Sequence, residues 1–63
     1  MMSTEEWVAS LFHSYYEELA PEFGYATREE SAVPWKDVPI GNKQLMVAVA
    51  RKVLDDIETL YKV

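Results

Sequence analysis

Apolar residues recur at steps of three and four along the first twenty positions, which is the spacing of one helix face. Ser3 and Glu6 before them have the spacing of a capping box. Pro21 disfavours helical geometry at Ala20. The pattern therefore predicts a first helix over about residues 3–20. Its apolar positions are Trp7 or Val8, Leu11 or Phe12, Tyr15 and Leu19.

The four residues after this helix, Pro-Glu-Phe-Gly, have the composition of one extra helical turn. Proline is favoured at the first position of a helix, and glycine adopts the left-handed conformation that often ends one. We therefore expect a short turn that begins at Pro21 and stops at Gly24.

A second helix is predicted over about residues 41–61. It follows Pro39, and Asn42 or Asp37 is the expected cap. Ala48 and Ala50 would permit a close approach to the first helix. The apolar positions again recur at helical spacing: Leu45 or Met46, Val49, Val53, Ile57 and Leu60.

The segment Ser31–Pro39 reads SAVPWKDVP and joins the two predicted helices. Two prolines stiffen it. Trp35 either folds back to close a small core or stays exposed as an anchor for a partner. The sequence thus predicts one all-α domain over residues 1–63, a two-helix hairpin with an ordered Pro/Trp linker. The expected core is Trp35, Leu11, Tyr15, Val49 and Val53.

The chain is short for independent folding. It has 63 residues and no cysteine, so no disulfide can reinforce it. Two helices alone provide only one seam between them. We therefore expect a homodimer, in which a stripe of the second helix packs against another copy; the alternative is that the first helix covers this stripe. The stripe consists of Met46, Val49, Val53, Ile57 and Leu60.

The charge is uneven along the chain. Net charge is −5, and residues 1–30 hold seven acids against one base, Arg28. An acidic half repels phosphate backbones, so direct nucleic-acid binding is not expected. Such a surface instead favours a basic protein partner. The expected partner contacts are Tyr16, Glu17, Arg28, Glu29, Glu30, Lys36 and Asp37.

The sequence offers little material for catalysis or metal binding. His13 is the one histidine, and we expect it at a solvent edge. No glycine-rich phosphate loop occurs, and two of the three glutamate pairs fall on exposed helix surface. We therefore predict a protein with no catalytic residues, no metal and no cofactor. The acidic N-terminus is unlike a signal peptide, and no apolar run is long enough to cross a bilayer, so we expect a cytoplasmic protein.

Residues 33–54 resemble a group of small bacteriophage and prophage proteins. These carry a Pro-Trp, a short acidic turn, a proline and a helix of the form NK-LM-AVA. The matching positions here are Pro34, Trp35, Asp37, Pro39, Asn42, Lys43, Leu45, Met46, Ala48 and Val49. The layout is also similar to short ryanodine-receptor-repeat (RyR) modules. The resemblance implies a phage or prophage origin, and small phage proteins often bind and redirect a host or defence protein.

Three functions follow as hypotheses. The first is a non-enzymatic module that binds and modulates a host or defence protein. The second is a RyR-like module for a nucleotide-type ligand, which would use stacking and phosphate contacts from Tyr25, Arg28, Trp35 and Lys36. The third is acidic mimicry of nucleic acid, directed at a nucleic-acid-binding protein.

Overall fold

The protein folds as a two-helix hairpin. The structure is a computed structural model, and it describes residues 2–29 and 32–62. Helix α1 spans Thr4–Leu19 and continues into a 3₁₀ turn, Ala20–Phe23. A second 3₁₀ turn, Trp35–Asp37, lies in the linker, and helix α2 spans Ile40–Tyr61. No strand occurs among the described residues. The all-α hairpin predicted from the sequence is confirmed, with helix boundaries within one residue of the expected ones.

The start of α1 is capped as its sequence predicts. The Ser3 hydroxyl accepts a hydrogen bond from the Glu6 backbone N–H at 3.1 Å, and Glu5 and Glu6 place negative charge at the positive end of the helix. The 3₁₀ turn after α1 also forms as expected. It ends at Gly24, which has φ +82° and donates its N–H to the Pro21 carbonyl at 3.1 Å.

The start of α2 differs from the prediction. Pro39 occupies the cap position and makes no side-chain capping bond, so the expected caps Asn42 and Asp37 are wrong. Proline has a fixed φ that suits a helix start, and the Pro39 carbonyl accepts the Lys43 N–H at 3.0 Å. The helix consequently begins at Ile40, and Asn42 lies inside its first turn.

Small residues form the seam between the two helices. Ala9 of α1 and Ala50 of α2 are both buried, and both lie in the groove where the helices meet. Ala20 is buried at the end of α1. Among the described residues, no large side chain is fully buried. The hairpin therefore holds its helices close together without enclosing a core of bulky groups.

The apolar stripes read from the sequence do not form this seam. Tyr15, Val49 and Val53 were expected in the core, yet they are 56%, 53% and 47% exposed. Leu11 is half-buried. The reason is geometric: Ala9 and His13 point toward α2, whereas Leu11 and Tyr15 lie roughly 120–160° away from them around α1. The expectation that Tyr15, Val49 and Val53 belong to the core of one chain is therefore corrected.

The two glycines allow a test of the backbone assignment. Gly24 has a positive φ and Gly41 lies inside α2, and an added Cβ at either position meets no atom within 4 Å. Gly24→Ala should lower the free energy of unfolding by about 1 kcal/mol, because alanine disfavours the left-handed region. Gly41→Ala should raise it by about 0.4–1 kcal/mol, because the unfolded chain loses freedom. Urea denaturation followed by circular dichroism measures both, and shifts of the same sign would contradict the assignment.

Candidate functional site

A buried histidine attaches the linker to α1. His13 is only 5% exposed, and its Nε2 lies 2.7 Å from the Val33 carbonyl oxygen. Because a carbonyl only accepts, Nε2 carries the hydrogen and donates it. The prediction of a solvent-edge histidine is therefore wrong. His13 shares its direction on α1 with Ala9, one helical turn earlier, and so it faces inward where the linker crosses.

Trp35 and Lys43 continue this attachment. The Trp35 ring lies 6.0 Å from the His13 ring, centroid to centroid, at an interplanar angle of 54°. The Lys43 Nζ sits 5.7 Å from the centroid of the Trp35 ring, within cation–π range, and donates to the Lys36 carbonyl at 3.1 Å. These groups join the linker to both helices, and we call His13, Val33, Trp35, Lys36 and Lys43 the linker clamp.

Trp35 takes a position between the two alternatives that its sequence left open. The residue is half-buried, and its Nε1 is enclosed with no hydrogen-bond partner among the described residues. Its ring packs on His13 and Lys43 rather than projecting into solvent. Val38, just after the linker turn, is buried as well. Trp35 thus serves mainly to hold the linker in place.

The predicted partner contacts fall into two neighbouring groups. Tyr16, Glu17 and Arg28 line one recess of about 310 Å³. Lys36 and Asp37 form an exposed ion pair of 3.6 Å on the linker turn, and an exposed pair of this kind adds little stability. Glu29 is exposed, and Glu30 lies outside the described residues. We call Tyr16, Glu17, Arg28, Glu29, Lys36 and Asp37 the linker edge.

The residues proposed for a nucleotide-type ligand are spread over different surfaces. Tyr25 lines a recess at the end of α1, whereas Arg28 lines the recess beside Glu17. The Trp35 ring already contacts the Lys43 ammonium group, and Lys36 forms an ion pair with Asp37. No described recess combines an aromatic ring of this set with its basic groups.

A second surface was identified from the sequence only in part, through the α2 stripe that was expected as a dimer seam. A groove of about 270 Å³ runs between the helices and is lined by apolar residues alone. A wider recess of about 420 Å³, the aromatic cup, lies at the end of α1. Phe12 lines both, so the two are continuous, and we call them together the apolar face. The groove is lined by Val8, Ala9, Phe12, Leu45, Met46, Val49, Ala50 and Val53. The cup is lined by Phe12, Tyr15, Tyr16, Leu19, Ala20, Phe23 and Tyr25.

The comparisons with known proteins add no relative. No family model, no curated protein and no solved structure matches the chain. Neither helix of the described residues is long and apolar enough to cross a membrane. The same residues contain no group of three or more histidine, aspartate or glutamate side chains placed to hold a metal ion.

The clamp can be tested with the two tryptophans of the chain. Trp35→Ala removes the ring between His13 and Lys43, and we expect the free energy of unfolding to fall by about 2–3 kcal/mol, less than for a fully buried tryptophan. Trp7 is 55% exposed, so Trp7→Ala should change it by less than about 1 kcal/mol. Urea denaturation of both variants gives the comparison. Equal losses would show that the clamp does not hold the hairpin.

Proposed function

We propose that this chain is a small, non-enzymatic binding module of phage type that docks on a host or defence protein through its linker edge. The observation that carries the proposal is the linker clamp. It fixes the backbone around Trp35 while the charged side chains beside it, Lys36 and Asp37, stay in solvent. A linker that only connected two helices would not need its own buried anchor.

Pre-ordering of the linker favours tight binding. A loop that is already held in shape loses less conformational entropy when a partner binds. The His13 bond to Val33 and the Lys43 bond to Lys36 supply that order on either side of Trp35. The linker edge therefore presents a fixed set of charged and aromatic groups to a partner.

The charge of the chain supports a basic partner surface. Net charge is −5, and Glu17 and Glu29 contribute acids to the linker edge. Opposite charges across an interface mainly speed association and select partners. The interaction should therefore weaken as salt rises and screening shortens.

The resemblance at residues 33–54 supports the class of partner proposed, a host or defence protein. The clamp residues Trp35 and Lys43 belong to that stretch, so the resembling segment is also the segment that shapes the linker edge. Small phage proteins often act by binding one bacterial protein in stoichiometric amounts. We accordingly place the partner and this chain in the cytoplasm of a bacterial host, which is consistent with the absence of cysteine.

Charge reversal on the linker edge tests the proposal. Tagged protein is used to capture partners from a bacterial lysate, and mass spectrometry identifies them. We expect one dominant host protein. The double variant Glu17→Lys/Glu29→Lys should capture at least about tenfold less of it, because its new positive charges repel a basic partner surface. A tenfold loss corresponds to about 1.4 kcal/mol. Circular dichroism checks that the variant keeps its helices.

The matched control changes the same number of charges elsewhere. Asp55 and Glu58 are exposed on α2, away from the linker edge, so Asp55→Lys/Glu58→Lys should capture the host protein as the unaltered chain does. If both double variants capture the host protein equally poorly, the net charge of the chain and not the linker edge determines binding. A well-folded chain that captures no host protein would contradict the proposal.

A further inference from the structure

The hairpin exposes more surface than a folded chain of its size should. Its accessible surface is 5278 Å², whereas a monomer of 7.3 kDa is expected to expose roughly 4,200 Å². The difference of about 1,100 Å² per chain exceeds the roughly 800 Å² that each partner buries in a standard protein interface. The excess is therefore large enough for one complete interface.

The apolar face is a continuous part of this exposed surface. Val8, Phe12 and Leu19 of α1 lie on the same side as Val49 and Val53 of α2, and no charged residue lines the groove or the cup. Contiguous exposed apolar surfaces of this kind mark interaction sites. Obligate homodimer interfaces are the more apolar class, like a domain core divided in two.

The two ends of the hairpin are complementary. The ion pair between Glu5 and Arg51 sets the start of α1 beside the middle of α2. Leu60 therefore lies about 14 Å from this point along α2, beyond the first residue of α1. Tyr16 lies about 16 Å from the same point in the opposite direction, along α1. One end projects apolar side chains, Ile57 and Leu60, and the other end is the aromatic cup.

We propose that the apolar face is the interface of a two-fold homodimer, in which the free end of α2 from one copy fills the aromatic cup of the other. A two-fold axis that lies in the plane of this face and crosses the helices obliquely, near the Glu5–Arg51 pair, reverses the helix direction and lays α2 of one copy across α1 of the other. It brings Leu60 of one copy over the Tyr16–Leu19 region of the other, at nearly equal distances from the axis. Both cups are filled at once, so the assembly closes at two copies.

A second copy explains the face better than a different protein does. The projection and the recess occur on one chain at matching distances, and the excess area corresponds to a single interface. The clamped linker packs on His13 and Glu17, on the side of α1 away from Val8, whereas Phe12 also borders the recess beside Arg28. The dimer covers Tyr16, which the cup and the linker edge share, and it leaves the charged residues of the linker edge free. The inference does not depend on the proposed function.

The mass of the full chain in solution is the first test. At a chain concentration of about 100 μM, analytical ultracentrifugation should give a mass twice the 7.3 kDa of one chain. Val49→Glu should give the mass of one chain, because it buries a charge in the interface. Its matched control, Ile40→Glu, changes a residue of the same helix that is exposed and off the face, and should remain a dimer.

Several outcomes would overturn the inference. One is an unaltered chain that sediments as a monomer, which would leave the face for another protein. Others are larger assemblies, and a Val49→Glu variant that stays dimeric.

Engineered cysteines test the arrangement without a charged substitution. The chain has no cysteine, so a variant with Leu19→Cys and Leu60→Cys carries the only two thiols. Within one chain these positions lie at opposite ends of the hairpin, far beyond the roughly 7 Å between Cα atoms that a disulfide spans. Oxidation should therefore yield a covalent dimer, and Leu60→Cys alone should not. Cross-linking by the single variant, or none by the double variant, would refute the antiparallel arrangement.

Discussion

The close approach of α1 and α2 over Ala9 and Ala50 is the constraint on which the rest of the structure depends. Small residues at the contact bring two helix axes near each other, and they leave no space between the helices for bulky groups. The large apolar side chains must then lie to one side. This arrangement accounts for the exposed stripes and for a core that, among the described residues, contains no large side chain that is fully buried.

The two sides of the hairpin differ in how their surface is covered. On one side the linker crosses α1, and the hydrogen bond of His13 to Val33 with the Trp35 and Lys43 contacts fastens it. On the other side the groove and the cup remain open to solvent. A domain of this size buries only about 60% of its unfolded surface, so covering the open side would add substantially to its stability. The polar side then remains available to a partner of different sequence.

The elements of the fold could be predicted from the sequence because each has a local cause. Helical spacing, the Ser3 cap, Pro21 and Gly24 all act within a few residues, and the structure has them as expected. Which side of each helix packs against the other could not be predicted in the same way. A stripe such as Val49 and Val53 has the same period whether its own chain or another copy covers it. Ala50 was noted as a residue that permits close approach, but nothing local distinguishes it from Ala48, which is exposed.

In the candidate site too, features with local causes could be predicted from the sequence and features that depend on distant contacts could not. The linker was identified from its prolines and from Trp35, since these are local signals. The burial of His13 depends on a contact twenty positions away, with Val33, and no spacing rule within α1 predicts it. The α2 part of the apolar face was expected as a dimer seam, whereas the aromatic cup was not identified because Tyr15 was assigned to the core. The stripes were read correctly as apolar, and the expected burial of Tyr15, Val49 and Val53 within one chain is wrong.

The concentration dependence of unfolding tests the central claim most directly, namely that the hairpin completes its core with a second copy. Urea denaturation is followed by circular dichroism while the protein concentration is raised about a hundredfold. If folding and dimerisation are coupled, the unfolding midpoint rises, because mass action adds on the order of 2.7 kcal/mol to the folded dimer over that range. A midpoint that stays constant would show that one chain is stable by itself with its apolar face in water, which contradicts the account.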